Sequence, residues 1–128
     1  MSHRVKRPKP LPDPPPIDED LAQAVAMTSQ AFATASRVRI LGRLWQSPAT
    51  VSRLAVDVGM EQSAVSHQLR LLRHLRLVRG RRDGRTTVYS LVDDHVAVML
   101  NEAIYHVEHL RLGGDLEPAE SPEEVGHA

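Results

Sequence analysis

The stretch TVSRLAVDVGMEQSAVSHQLRLLRHL, Thr50–Leu75, decides the fold. Thr50 stands before an apolar set at Val51, Leu54, Ala55 and Val58, the i, i+3, i+4, i+7 spacing of one helical face. Its hydroxyl can accept a bond from a free first-turn N–H, so a short helix is expected to begin there. Gly59 supplies the turn, since glycine reaches the left-handed backbone without a Cβ penalty. A further helix is expected from about Gln62 to Leu75, with Val65, Leu69 and Leu72 inward. Two short helices across a tight glycine turn make a helix-turn-helix. The other face of the second helix carries Gln62, Ser63, Ser66, His67, Arg70 and Arg73. Small polar and amide side chains at its leading end suit base edges, and the arginines behind them suit phosphates. His74 is read as a surface residue.

Working outward, Leu77–Leu91 holds two β-prone runs broken by Asp83-Gly84, a strong local hairpin signal. Arg79, Arg81, Arg82 and Arg85 crowd its tip, where a wing would lie along a DNA groove or backbone. Upstream, Ser36 is expected to cap a helix with Val38, Leu41, Leu44 and Trp45 inward, ending before Pro48. Before it, Asp18, Glu19 and Asp20 suit the positive end of a first helix. Leu21, Ala24, Val25, Thr28, Ala31 and Phe32 would be its buried stripe.

The formal charge of the 128 residues is zero, but its distribution is uneven. Ser36–Val92 holds eleven arginines against three acids (Asp57, Glu61, Asp83), a net +8 that points to a polyanion partner. Residues 1–17 contain six of the nine prolines and read as a flexible basic arm. Residues 18–112 read as the folded domain and 113–128 as an acidic, disordered tail. With no cysteine there are no disulfides or thiolate metal sites. No apolar run approaches membrane-spanning length and no secretory signal is visible, so a cytoplasmic protein with no membrane partner is expected.

Asp93–Leu110 reads as a long amphipathic helix, apolar at Val96, Met99, Leu100, Ala103, Ile104, Val107 and Leu110. Asp93 and His95 stand at its start, His106 and His109 near its finish. Eleven residues separate His95 from His106, roughly 16 Å of helix at 1.5 Å per residue, too far for one ion. Two antiparallel copies would bring the start of one helix to the end of the other. One carboxylate and three imidazoles without sulfur suit Zn(II), Ni(II) or Co(II) rather than Cu(I) or Cd. If Met1 is removed, the amine of Ser2 and the ring of His3 offer two more nitrogens, making the six-coordinate set that Ni(II) or Co(II) prefers. A reach of about 43 Å for 14 extended residues is sufficient. His127 is given no role. Three protein ligands and a water can also form a catalytic zinc, but no candidate base accompanies the cluster, so no enzyme is expected.

The assembled pieces resemble the ArsR/SmtB family of dimeric winged-helix metal-sensing repressors over about residues 20–112. The resemblance rests on SAVSHQLRLLRHLRLV (Ser63–Val78), the DGR…VYSL hairpin (Asp83–Leu91) and the D-x-H…H-x-x-H pattern of the last helix. GMEQSAVSHQLR and EAIYHVEHL are especially similar to the NmtR-type nickel/cobalt sensors. It implies a mainly α fold with a small β-hairpin wing, a winged helix-turn-helix of order ααααββα, and a homodimer through the first and last helices. It also implies a repressor that binds double-stranded, inverted-repeat operator DNA when apo and is released allosterically by Ni(II) or Co(II) at an inter-subunit site. Zn(II) is the alternative effector, and a metal-independent winged-helix regulator the remaining alternative. Two departures stand out: Glu61 replaces the usual Ser or Thr cap, and the cysteines of the family's other common metal site are absent.

Overall fold

Helix starts follow from short polar side chains that accept first-turn N–H bonds. Asp18 accepts from Leu21 N and opens α1 (Glu19–Ser29), which runs into a 3-10 turn at Gln30–Phe32. Thr34 accepts from Arg37 N and opens α2 (Ala35–Gln46), so Ser36 lies inside the first turn and is not the expected cap. Thr50 accepts from Arg53 N and opens α3 (Val51–Val58), which Gly59 ends at φ +69°. Glu61 opens α4 (Gln62–His74) without a side-chain capping bond, as its long side chain suggests. The chain continues through β2 (Val78–Asp83), β3 (Thr86–Leu91) and α5 (Asp94–Gly113) in this computed structural model, which describes residues 11–113.

The order is the expected winged helix-turn-helix with one addition. A two-residue strand, β1 (Ala49–Thr50), pairs Ala49 with Tyr89 and Thr50 with Val88, so the sheet is three-stranded in the order β1-β3-β2. Two residues carry no readable alternation, which is why the strand escapes pattern reading. The hairpin register pairs Asp83 with Thr86, leaving Gly84 and Arg85 as the loop. Gly84, at φ +66°, fills the first loop position.

Ile40, Leu41 and Leu44 of α2 meet Leu54 and Val58 of α3, Val65, Leu69 and Leu72 of α4, Leu77, and Val96 and Leu100 of α5. Each fully buried Leu or Ile contributes roughly 1.5–3 kcal/mol, against about 0–1 for a surface ion pair, so this cluster holds the molecule together. Asp57 then braces α3 against α2, accepting from Arg43 Nε at 2.7 Å and Arg53 Nη2 at 3.0 Å. Those two guanidinium bonds, Arg43 first, hold its carboxyl below the usual carboxylate range.

Two apolar stripes sit differently from expectation. Of the first-helix set, Ala31 alone is buried; Leu21, Ala24 and Val25 are exposed, and Thr28 and Phe32 half-buried. The reason is that α1 packs chiefly on the 3-10 turn after it and lies off the core. On α5 the buried row is Val96, Ala97, Leu100 and Asn101, while Met99, Ala103 and Val107 face outward. Residues 11–18 carry neither helix nor strand and are exposed; residues 1–10 and 114–128, with Ser2, His3, His127 and most of the expected arm and tail, lie outside the described residues. Among the described residues no helix is long and apolar enough to cross a membrane.

Candidate nucleic-acid interface and candidate metal centre

Inward Val65, Leu69 and Leu72 fix the rotation of α4 and leave Gln62, Ser63, His67, Arg70 and Arg73 exposed, with Ser66 half-buried. The helix ends in a Schellman closure, where Leu77 N bonds Leu72 O at 3.0 Å and Arg76 takes φ +65°. Glycine is the usual occupant of that position, so nothing in the sequence flags an arginine as the terminator. Beyond it, Arg79, Arg81, Arg82 and Arg85 are exposed on the hairpin. Arg82 is partly engaged, donating from Nη2 to Gly84 O at 3.2 Å and bracing the turn. Arg70, Arg73, Arg79, Arg81 and Arg85 form no ion pair with another described residue. Helix and hairpin thus present cations that no acid of the described fold neutralises.

The four candidate metal ligands fall into two separate pairs. Asp93 Oδ1 accepts from His95 N at 2.9 Å, so Asp93 does close the first turn of α5. Its Oδ2 lies 3.5 Å from His95 Nδ1, and the side chains are 52% and 90% exposed, leaving one carboxylate oxygen and the ring reachable from solvent. At the far end His106 and His109 are exposed, and the His109 ring stacks on Tyr105 with centroids 6.2 Å apart and planes 13° from parallel. These two histidines, with Glu102 and Tyr105, line a recess of about 260 Å³. The recess adds Glu102, which sequence reading passed over although Glu102, His106 and His109 follow helical i, i+4, i+7 spacing. Among the described residues of one chain, no three His, Asp or Glu side chains converge enough to hold an ion.

Comparison with known proteins follows the same outline. The family model described as bacterial regulatory protein, arsR family, matches residues 34–79, from the cap of α2 to the first wing strand. The chain is 60% identical over 98 residues to the HTH-type transcriptional regulator NmtR of Mycobacterium tuberculosis, covering 77% of this chain and 82% of that one. The chain belongs to the arsR family. Two solved structures of such regulators match this arsR protein's fold. The solution structure of apo-NmtR superposes with a TM-score of 0.67 at 52% identity, over 95% of this chain and 99% of that one. The homodimeric winged helix-turn-helix DNA-binding domain of Mycobacterium bovis Mb0332 gives 0.64 at 27% identity, over 80% and 92%. This arsR protein is therefore a DNA-binding transcriptional regulator built on a winged helix, and not an enzyme.

Proposed function

We propose that this regulator is a homodimeric repressor that holds an inverted-repeat operator when apo and leaves it on binding Ni(II) or Co(II), with Zn(II) as the alternative effector. The observation that carries the reading is the split of Asp93 and His95 from His106 and His109 to opposite ends of one helix. Antiparallel α5 helices from two chains would complete two equivalent sites. The donors suit the ion: exposed imidazoles and a carboxylate with a spare oxygen, and no sulfur. When bound, the metal supplies a bridge between two chains. Ser2 and His3 would add two nitrogens and favour six-coordinate Ni(II) or Co(II) over tetrahedral Zn(II).

Dimerisation through α1 and α5 is supported by the apolar side chains both helices expose, Leu21, Val25 and Met27 on one and Met99, Val107 and Leu112 on the other. The homodimeric state of the similar Mb0332 domain agrees with it. Each α4 would enter a major groove with Gln62, Ser63, Ser66 and His67 toward base edges. Arg70 and Arg73, with Arg79, Arg81, Arg82 and Arg85 of the wing, would take phosphates. A repressor of this kind works in the cytoplasm. By linkage, operator DNA lowers metal affinity by the factor with which metal lowers operator affinity.

The test is operator binding by fluorescence anisotropy, using DNA selected from a random pool, with and without Ni(II), Co(II) and Zn(II). Metal is expected to weaken wild-type binding by tenfold or more, about 1.4 kcal/mol or above. His106→Ala is expected to bind apo operator normally and ignore metal. A wild type indifferent to all three ions would leave only a metal-independent regulator.

A further inference from the structure

Arg37 joins three parts of the molecule through one planar group. It sits in the first turn of α2, donates from Nη1 to Gln30 O at 2.8 Å, and donates from Nε to Gln68 Oε1 at 2.8 Å. Gln30 is the C-cap of α1 and the start of the 3-10 turn; Gln68 lies midway along α4. The end of the helix that exposes an apolar face is therefore linked to α4 through one side chain of α2. The bond to Gln68 is part-buried, where a lost acceptor is not readily replaced by water. The planar guanidinium presents its donors in fixed relative directions and is held at both ends, so keeping both bonds links the position of Gln30 to that of Gln68. At 100° per residue, Gln68 faces the flank roughly opposite Ser63 and Arg70, so its side chain is spent on Arg37 and not on DNA.

We infer that Arg37 is a positioning residue that couples the α1 end of the dimer seam to the orientation of α4. The inference rests on the proposed repressor function and adds a route by which a change at the seam reaches the DNA-reading face. Arg37 binds neither metal nor base; it sets the angle at which the reading face is held.

Full-length wild type, Arg37→Met, Gln68→Leu, the double variant and Gln68→Glu decide it. Two quantities are read by anisotropy for each: apo affinity for operator relative to scrambled DNA, and the factor by which Co(II) lowers operator affinity. Urea melts run alongside. Both single variants are expected to lose at least fivefold of the Co(II) factor and several-fold of the operator preference, with the double variant no worse than either. Gln68→Glu keeps the acceptor and is expected to keep the Co(II) factor. A Co(II) factor within twofold of wild type in Gln68→Leu would overturn the inference, and that variant decides alone if Arg37→Met does not fold. If wild type itself shows no response to Co(II), Ni(II) or Zn(II), the sensor function falls and the coupling route falls with it; a responsive wild type with an unchanged Gln68→Leu sinks only the route.

Discussion

Asp57 receives two arginines at once, and the bonds differ in what they join. Arg53 is four residues away on the same helix, whereas Arg43 comes from α2 and also donates to Ser47 O at 2.9 Å. The carboxylate thus pins α3, the first helix of the helix-turn-helix pair, to the end of α2. Because its folded pKa lies below the usual range, its contribution is complete above the unfolded value of about 4 and is lost as pH falls through the depressed folded value. Asp57→Asn is accordingly expected to lower the urea midpoint at pH 7, and the gap to wild type should close as pH drops below about 4. A gap of constant size across that window would mean that shape, not charge, supports the brace. Single residues were legible in sequence only where their partners are near. Thr50 as a cap needs a partner three residues on and was foreseen; Arg37 and Gln68, 31 residues apart, and Arg43 with Asp57, 14 apart, could not be paired without the fold.

Among the elements, the wing shows how a glycine can be fixed by its neighbour across the sheet. Gly80 pairs with Tyr89, whose ring covers the space a side chain would need. A Cβ there would lie 2.8 Å from Thr87 Cγ2 and 3.1 Å from Tyr89 Cε1. Gly80→Ala is expected to cost about 1–3 kcal/mol, because the Thr87 methyl and the Tyr89 ring must move to admit the Cβ. Thermal melting should register that cost, and operator affinity should fall while metal affinity does not. Loss of metal binding in step would place the damage in the core and not the wing. The helices α3 and α4 could be read in advance because each carries its apolar period within itself, at Leu54 and Val58 and at Val65, Leu69 and Leu72. The stripe of α1 was equally periodic, but period says only that a face is apolar, not which element covers it. For the same reason α5 turns its row toward Val96, Ala97, Leu100 and Asn101, a choice made by the tertiary position of β3 and α2. The two pairs of candidate ligands were visible as spacing along one helix, and so was the alignment of Glu102 with His106 and His109; that these three border one recess with Tyr105 is seen only in the fold.

At the scale of the molecule, the core occupies α2–α4 and the opening turns of α5, while α1 and the later turns of α5 extend beyond it. The basic surface of α4 and the wing and the apolar surface of α1 and α5 therefore belong to different parts of one chain. That α5 is a single unbroken rod of 20 residues has a genetic consequence on the proposed dimer. Each metal site would borrow the front of one rod and the back of the other, so two defective chains can repair one another. Pure His95→Ala and pure His106→Ala proteins should each lack a complete site. Exchanged into mixed dimers, they place both lesions in one site and leave the second whole, giving about a quarter of the wild-type metal content at random pairing. Equilibrium dialysis of the equimolar mixture measures it. Recovery of binding on mixing would be intermolecular complementation, and its absence would mean that the ligands are not shared between chains in this way.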